Sequence, residues 1–405
     1  MRRTLLFSVS LLLCLLSVGC GGTSASGTLE AETLPDGALP FDYHQGHLYF
    51  DARLCDSIPA RLIFDTGAVG LHVDSLWLAC SEWSPRRLGR ANIWGAGTQR
   101  KEAQLILDTL TFDVDTLHLE SRMTSVLDLK AIVGRQADGI FGLDYLNRFA
   151  DSCVLFDLRR GYMRAVNPDT LAGVGFRRFP LEKQGDFLLV DACVRFDDER
   201  IVDGRFLLDM GCGTTLIVNT PAAQKAGLDG YAGRRVHYAT IAGGVGGESE
   251  TEICRAATVD FGGETFAMVP VSISRDKSGY LAGADVEGVI GTKLLERFVF
   301  AIDFATPALW LRRTEVCDEP FPYETAGFTI IDRTDICDGW MVTGLFDNIA
   351  PVGLQTGDVV VGWDGVVLAS HTHADSLMRV SGRHRIEVKR EGKNADYEIE
   401  IKEVL

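Results

Sequence analysis

Two aspartates follow short apolar runs, and the first of them opens the most informative stretch of the chain. Residues 62–64 are apolar and lead into Asp65, Thr66 and Gly67. Burying a charged carboxylate is costly, so this position indicates a role for the group. The small residues after it predict a tight turn with hydrogen-bond donors and room for another molecule to approach. Such a turn would hold the carboxyl group at the floor of a cleft, where it could do acid–base chemistry.

The same pattern returns 144 residues later. Residues 206–208 are apolar and lead into Asp209, Met210 and Gly211. Two carboxyl-bearing turns of one design indicate an internal duplication.

A second pair of segments supports the duplication. Residues 139–149 and 288–298 are identical at five of eleven positions, and each lies 70 to 80 residues after its aspartate. The chain is therefore predicted to contain two copies of one unit of roughly 140 residues.

The elements that position these turns are predicted to be mostly strands, because short apolar runs alternate with Gly, Asp and Asn turns. Residues 105–112 are one predicted strand, and residues 220–226 and 145–149 are helix candidates. In each copy a glycine-bearing hairpin is predicted between the aspartate and the later glycine segment, at residues 91–103 and 238–252.

In this order the segments resemble the two lobes of pepsin-like and retropepsin-like aspartic proteases. In that family each lobe gives one Asp-Thr/Ser-Gly and a later segment of two hydrophobic residues and a glycine, which residues 140–142 and 289–291 match. The resemblance implies an all-β dominated fold with two lobes related by a pseudo-twofold axis. We place the lobes at residues 34–175 and 176–314.

The resemblance also implies a peptidase in which Asp65 and Asp209 share one proton and activate a water between them, with no metal and no cofactor. The residues expected to support the active-site loops are Thr66, Gly67, Met210, Gly211, Gly142 and Gly291. The hairpins become flaps over the cleft, with Trp94, Gly95, Gly97, Gly243 and Gly244 at their tips.

Met210 departs from the family pattern, because the residue after each aspartate is otherwise Thr or Ser. Met210 has no hydroxyl, so half of the hydrogen bonds between the two active-site loops are lost unless Thr214 or Thr215 supplies them. Two functions therefore stay open: an active endopeptidase, and an inactive module that binds peptides in the same cleft. Cys212 could be a nucleophile instead, but no histidine close to it in the sequence supports that alternative.

Residues 325–405 are predicted to form a separate small β domain with one or two helices. Their order of glycine, aspartate and apolar residues resembles a bacterial PDZ domain. The resemblance implies that C-terminal peptides bind there by strand addition, at Gly339, Trp340, Met341 and Val342.

The N-terminal sequence is typical of an export signal. Residues 1–20 combine a charged start, an apolar core too short to span a bilayer and a small-residue site before Cys20. This resembles a bacterial lipoprotein signal with Cys20 as the lipidated residue; an ordinary secretory signal is the alternative. Residues 21–33 are a predicted flexible tether. We expect a lipid-anchored protein of the cell envelope that faces the periplasm.

The amino-acid composition limits the classes of molecule that we expect the protein to bind. The net charge of −16 argues against nucleic acid, which needs Lys/Arg patches. The hydrophobic content of 46% allows sizeable cores, and polypeptides remain the expected substrates. Eight cysteines beyond residue 20 could form disulfides or stay as buried thiols. The sequence has no CxxC pair, which argues against a structural zinc site.

Overall fold

The computed structural model describes residues 9–11, 33–149, 153–368 and 371–405, which are mostly β-strand. The prediction of a β-dominated fold is therefore confirmed. The described strands form three sheets, one in each copy of the repeat and one between the copies. None of the helices in the described ranges is long and apolar enough to cross a membrane.

The first sheet belongs to the first copy. In sheet order its strands are Val9–Leu11, Leu88–Gly95, Lys101–Ile106, Thr124–Leu127, Leu71–Asp74, Gly139–Gly142, Ile58–Asp65, His47–Leu54, Leu110–Val114 and Leu117–Ser121, and Asp42–His44 pairs with His47–Leu54. The strand predicted at residues 105–112 is thus two strands, since a turn at residues 107–109 separates them.

The second sheet joins the two copies. Its order is Arg177–Pro180, Ala308–Arg313, Phe298–Asp303, Cys153–Asp157, Tyr162–Val166 and Leu39–Pro40. Cys153–Asp157 of the first copy and Phe298–Asp303 of the second run antiparallel at its centre. There Phe156 stacks on Phe300 at 5.2 Å between ring centroids, so the lobes share one core.

The third sheet contains the second copy and continues into the C-terminal segment, residues 324–405, called the third domain below. Its order is Glu182–Gln184, Phe187–Arg195, Ile201–Leu208, Gly288–Ile290, Leu216–Val218, Glu264–Ser274, Ser249–Phe261, Arg235–Thr240, Trp340–Phe346, Val359–Trp363, Gly382–Arg390, Lys393–Glu403 and Glu324–Thr325, and Phe328–Asp332 pairs with Trp340–Phe346.

Helices are short. The α-helices are Ser75–Cys80, Lys130–Val133, Pro168–Leu171, Thr220–Lys225, Thr292–Leu295 and His371–Met378, and the 3-10 helices are Leu143–Phe149, Ala172–Val174, Leu228–Gly230 and Tyr280–Ala282. The helix predicted at residues 220–226 is Thr220–Lys225; Asn219 caps its N-terminus by accepting from the N–H of Ala222. The helix predicted at residues 145–149 falls within the 3-10 helix Leu143–Phe149.

The duplication is visible in the strand register. In the first copy Gly139–Gly142 lies between the strand that ends at Asp65 and the strand that follows it, parallel to the former and antiparallel to the latter. Gly288–Ile290 takes the same place in the second copy. Gly139 faces Leu62 and Gly288 faces Phe206, each three residues before the aspartate. The two aspartates therefore leave equivalent points of two equivalent sheets.

Glycine is required at positions 139 and 288, where one strand passes between its two neighbours in the sheet. A Cβ atom on Gly139 would lie 2.6 Å from the carbonyl oxygen of His72, and one on Gly288 would lie 1.9 Å from that of Ile217. Both distances are shorter than a non-bonded contact, so a larger residue would push the three central strands apart.

Candidate active site

The aspartates of the two copies meet between the lobes. Asp65 and Asp209 are both completely buried. A Cβ atom on Gly67 would lie 3.0 Å from the carboxyl carbon of Asp209, and one on Gly211 would lie 2.3 Å from that of Asp65. Each carboxyl group therefore packs on the glycine of the opposite turn. The structure brings the two predicted catalytic residues together, and glycine makes their approach possible.

Each turn supplies a donor to its own aspartate. The N–H of Gly67 donates to Oδ1 of Asp65 at 2.7 Å, and the N–H of Gly211 donates to Oδ1 of Asp209 at 2.8 Å. Each Oδ2 atom is buried and has no hydrogen-bond partner in the described ranges. An unpartnered buried oxygen is costly, so a proton held between the aspartates satisfies both.

Burial raises the pKa of Asp65 to about 7, against hydrogen bonds from Asp209 and from the backbone of Gly67, Gly211 and Ala68 that lower it. Burial also raises the pKa of Asp209 well above its usual range, and the charge of Asp65 raises it further. Two buried carboxyl groups in contact cannot both be ionised. The pair therefore carries at most one negative charge. Once one proton has left, the larger number of donors favours the charge on Asp65 and the remaining proton on Asp209.

Thr66 ties the two turns together. Its Oγ1 atom donates to the carbonyl oxygen of Leu208 at 2.7 Å and accepts from the N–H of Met210 at 2.9 Å. One side chain of the first copy thus holds the backbone on both sides of Asp209.

Met210, which holds the equivalent position in the second copy, cannot make these hydrogen bonds to the first turn. Met210 is completely buried in the main core and brings a thioether where a hydroxyl would be needed. The hydroxyl of Thr215 donates to the carbonyl of Pro270, and that of Thr214 contacts the thiol of Cys212 at 3.3 Å. The contacts of both hydroxyls are made within the second copy, so neither fills the place left by Met210.

The glycine segments support the turns from below. The N–H of Gly142 donates to the carbonyl of Gly70, and that of Gly291 donates to the carbonyl of Thr215. A Cβ atom on Gly142 would lie 2.3 Å from the carbonyl oxygen of Ala68, and one on Gly291 would meet that of Thr214 at the same distance. Both predicted support residues therefore lie against the active-site turns.

Two hairpins reach the active-site turns with their tips, because Ala96 packs in one cluster with Cys212 and Val245 in one cluster with Ala68. The first is formed by Leu88–Gly95 and Lys101–Ile106, the second by Arg235–Thr240 and Ser249–Phe261. Trp94 and Gly95 end the first strand of the first hairpin. Gly243 and Gly244 lie in the second tip, where the N–H of Gly243 donates to the carbonyl of Gly247.

The tips are joined to each other. The N–H groups of Gly97, Thr98 and Gln99 donate to the carbonyls of Val245, Glu248 and Gly246 at 3.1 to 3.2 Å. Ala96 packs into a cluster of the second copy and Val245 into one of the first, so each tip inserts into the opposite lobe. The sequence predicted Gly97 at the tip of the first hairpin, but it gave no indication that the two tips bond to each other.

Two further residues near the site were missed. The hydroxyl of Thr292 donates to the carbonyls of Gly46, at 2.6 Å, and Cys212, at 3.1 Å, so it links a first-copy loop to the turn after Asp209. Its place directly after Gly291 was the available signal. His47 is buried beside Gly213, and burial lowers its pKa to about 3.

The predicted peptide site of the third domain is wrong. Met341 and Val342 have neighbours on both edges, Phe328–Asp332 on one side and residues 357–360 on the other. Strand addition needs a free edge, and this strand has none there. Trp340 is buried in the domain's core, and Gly339 lies against the carbonyl of Val360. These residues are structural.

The remaining predicted site residue, Cys20, lies outside the described residues. None of the eight cysteines beyond it, all within the described ranges, forms a disulfide: Cys55, Cys80, Cys153, Cys193, Cys212, Cys254, Cys317 and Cys337. Burial raises the pKa of the Cys153 and Cys254 thiols to about 12, which keeps them protonated and unreactive.

Replacing Thr66 tests the bond between the turns. Thr66→Val removes two buried hydrogen bonds while keeping the side-chain shape, and we expect the free energy of unfolding to fall by about 2 kcal/mol or more. Thr66→Ser keeps the hydroxyl and should stay within about 1 kcal/mol of wild type. Denaturant unfolding measures both, and equal losses for Val and Ser would show that the hydroxyl is not the stabilising group.

The shared proton predicts a pH dependence of stability. The folded pKa of Asp65 is above the ordinary value of about 3.9. The contribution of Asp65 is therefore fully present below pH 4 and is lost as the pH rises through about 7. The contribution of Asp209, whose pKa is raised well above its usual range, falls in the same direction. Relative to the double variant Asp65→Asn with Asp209→Asn, wild type should lose about 4 kcal/mol or more over this interval, because Asp65 alone accounts for about that amount. Parallel stability curves from pH 4 to 8 would contradict the buried shared proton.

Comparisons with known proteins find similarity over part of the chain. Among solved structures, an aspartic proteinase from Irpex lacteus is 14% identical with a TM-score of 0.41, over 69% of this chain and 97% of that one. No curated protein sequence matches the chain. A family model described as aspartyl protease matches residues 192–294, which include Asp209, Gly211 and Gly291. Residues 192–294, within the second copy of the repeat, are thus similar to the aspartyl protease family.

Proposed function

We propose that this protein is an aspartic endopeptidase that hydrolyses peptide bonds of polypeptides. The observation that carries the proposal is the buried pair of Asp65 and Asp209. Two equivalent turns hold the carboxyl groups in contact, so only one of them can be ionised at a time. The aspartyl protease match of the second copy supports the same reaction class.

The mechanism follows from the two protonation states. Ionised Asp65 takes a proton from a water placed between the carboxyl groups, and the water oxygen attacks the peptide carbonyl carbon. Asp209 gives its proton to the carbonyl oxygen as the tetrahedral diol forms. Collapse of the diol breaks the C–N bond, the leaving nitrogen receives a proton from Asp65, and Asp209 takes back a hydroxyl proton. One water is consumed, and the pair ends with the single proton that it began with.

The hairpins determine how substrate enters. Both aspartates are covered in the closed form, and three backbone hydrogen bonds join the tips. A substrate must therefore separate the tips before it can reach the floor. An extended peptide offers donors and acceptors on both sides, which suits a space between the hairpins and the active-site turns.

A binding module without cleavage is the second candidate, and Met210 is the observation that favours it. Only the first copy contributes a hydroxyl to the link between the turns. A looser link would let the carboxyl groups move apart, and catalysis is sensitive to small displacements. Such a protein would hold peptides under the hairpins without hydrolysing them.

Substitution of the aspartates separates the two candidates. Asp65→Asn and Asp209→Asn should each lower cleavage of an unfolded protein by at least about a thousandfold, since an amide is neither the base nor the shared acid. Asp198→Asn, at an exposed position, is the matched control and should keep full activity. Full activity of Asp209→Asn would refute the dyad, and a wild type inactive from acid to neutral pH would leave the binding module.

We also propose that the protein is exported and anchored by a lipid on Cys20, facing the periplasm. Cleavage of the signal before Cys20 removes the strand Val9–Leu11, which pairs with the first hairpin in the unprocessed chain. The support is the sequence of residues 1–20. Cys20→Ser should move the protein from the membrane to the soluble fraction, and Cys14→Ser, within the apolar core of the signal, is the control. An unchanged distribution of Cys20→Ser would contradict the anchor.

A further inference from the structure

The third domain is attached to one of the two hairpins as an additional part of its sheet. The outer strand of the second hairpin, Arg235–Thr240, pairs antiparallel with Trp340–Phe346, with Tyr238 opposite Phe346 and Thr240 opposite Gly344. The sheet of the third domain thus continues directly into the hairpin whose tip residue Val245 packs in one cluster with Ala68, next to the turn of Asp65. Movement of this hairpin requires either movement of the whole domain or separation of the two strands.

Hydrogen bonds extend the contact towards the hairpin tip. The N–H of Ile241 and the hydroxyl of Thr240 both donate to the carbonyl of Thr343, at 2.9 and 3.0 Å. At the other end the N–H of Asp347 donates to the carbonyl of His237 at 2.9 Å. These bonds are made only while the domain lies against the hairpin.

Tyr238 is the centre of the packing. Its ring lies 4.6 Å from that of Phe346, and its hydroxyl is 2.9 Å from the hydroxyl of Thr329. A Cβ atom on Gly344 would lie 2.3 Å from the Tyr238 hydroxyl oxygen. Tyr238 is almost completely buried, so the ring fills a space that the absence of a side chain at Gly344 provides.

The same domain also contacts the first lobe. The N–H of Arg135 donates to the carbonyl of Asp332 at 2.8 Å, and its guanidinium donates to the hydroxyl of Thr334 at 3.1 Å. Thr329 and Ile331 share a small cavity with residues of the first lobe and of the second hairpin, lined by Gln45, His47, Tyr49, Ile132, Val133, Gln136, Ala242 and Thr343. The third domain therefore connects the second hairpin to the opposite lobe.

The first hairpin has no such attachment. In the described ranges its outer strand, Leu88–Gly95, pairs with Lys101–Ile106 and with Val9–Leu11, and no strand of the third domain joins it. The two hairpins are therefore equivalent at their tips but not at their outer edges.

We propose that the third domain is an autoinhibitory clamp that holds the second hairpin closed over the aspartates. The proposal rests on the proposed peptidase function. Opening the cleft on this side breaks the tip contacts and, in addition, either the bonds to the hairpin or the bonds from Arg135 to the third domain. Because each bond stabilises the closed form, the docked domain lowers the open population and with it the rate of substrate entry. Undocking of the domain activates the enzyme.

Gly344→Ala in the full chain releases the clamp, since the added methyl group clashes with Tyr238. We expect kcat/KM for an unfolded protein substrate to rise at least about tenfold, and amide hydrogen exchange to accelerate at Ile241, Asp347 and Arg135, whose N–H groups donate across the contact. Gly362→Ala is the matched control in the same domain, because its Cβ would meet only the flexible side chain of Glu387. It should change neither measurement.

A second variant moves the equilibrium the other way. Ala239 and Leu345 face each other across the two strands, so Ala239→Cys with Leu345→Cys allows a disulfide that fixes the domain to the hairpin. Oxidation should lower cleavage at least about tenfold, and a reducing agent should restore it. The two single-cysteine variants, treated in the same way, control for the eight native thiols.

The outcomes separate the clamp from the peptidase. Faster exchange with unchanged or lower cleavage in Gly344→Ala, or a disulfide form that cleaves as fast as the reduced form, would overturn the clamp. If wild type and all variants fail to cleave, the peptidase function fails, and hydrogen exchange alone decides the docking. Faster exchange at Arg135 and Ile241 together would then support a clamp on closure, and no change at either would overturn it.

Discussion

Two carboxyl groups buried in contact can hold only one negative charge, and the architecture around Asp65 and Asp209 serves this constraint. Gly67 and Gly211 must be glycines because each lies against the opposite carboxyl group, and their N–H groups stabilise the charge that remains. The strand register in each copy brings the aspartates to equivalent points. The central sheet then fixes one lobe on the other through the stacked Phe156 and Phe300.

The two copies are equivalent in backbone and unequal in support. Thr66 holds the turn of the second copy, while Met210 gives no polar bond in return and adds instead to the core. The hairpins repeat this asymmetry, because only the second one continues into the third domain. A duplicated fold has thus acquired a fixed side and a freer side. The segments of an extended substrate on the two sides of the aspartates would therefore lie under hairpins with different attachments.

Much of the site was predictable from the sequence because the duplication repeats residues that have few physical alternatives. A carboxyl group directly after a buried strand and a glycine packed against the turn that follows leave little freedom, which is why Asp65, Asp209, Gly142 and Gly291 could be predicted. Contacts between distant segments could not be predicted in this way. Nothing local to Tyr238 or Gly344 indicates that they meet, and the edge of Met341–Val342 is occupied by neighbours that no local pattern identifies.

The central claim is that Asp65 and Asp209 form one proton-sharing pair that acts on a peptide carbonyl. The most direct measurement is a crystal structure of the full chain with a peptide in which a secondary alcohol replaces the scissile carbonyl. The account predicts the alcohol oxygen within about 3 Å of a carboxyl oxygen of both aspartates, beneath the hairpin tips. An alcohol bound elsewhere, or carboxyl groups more than about 6 Å apart, would contradict it.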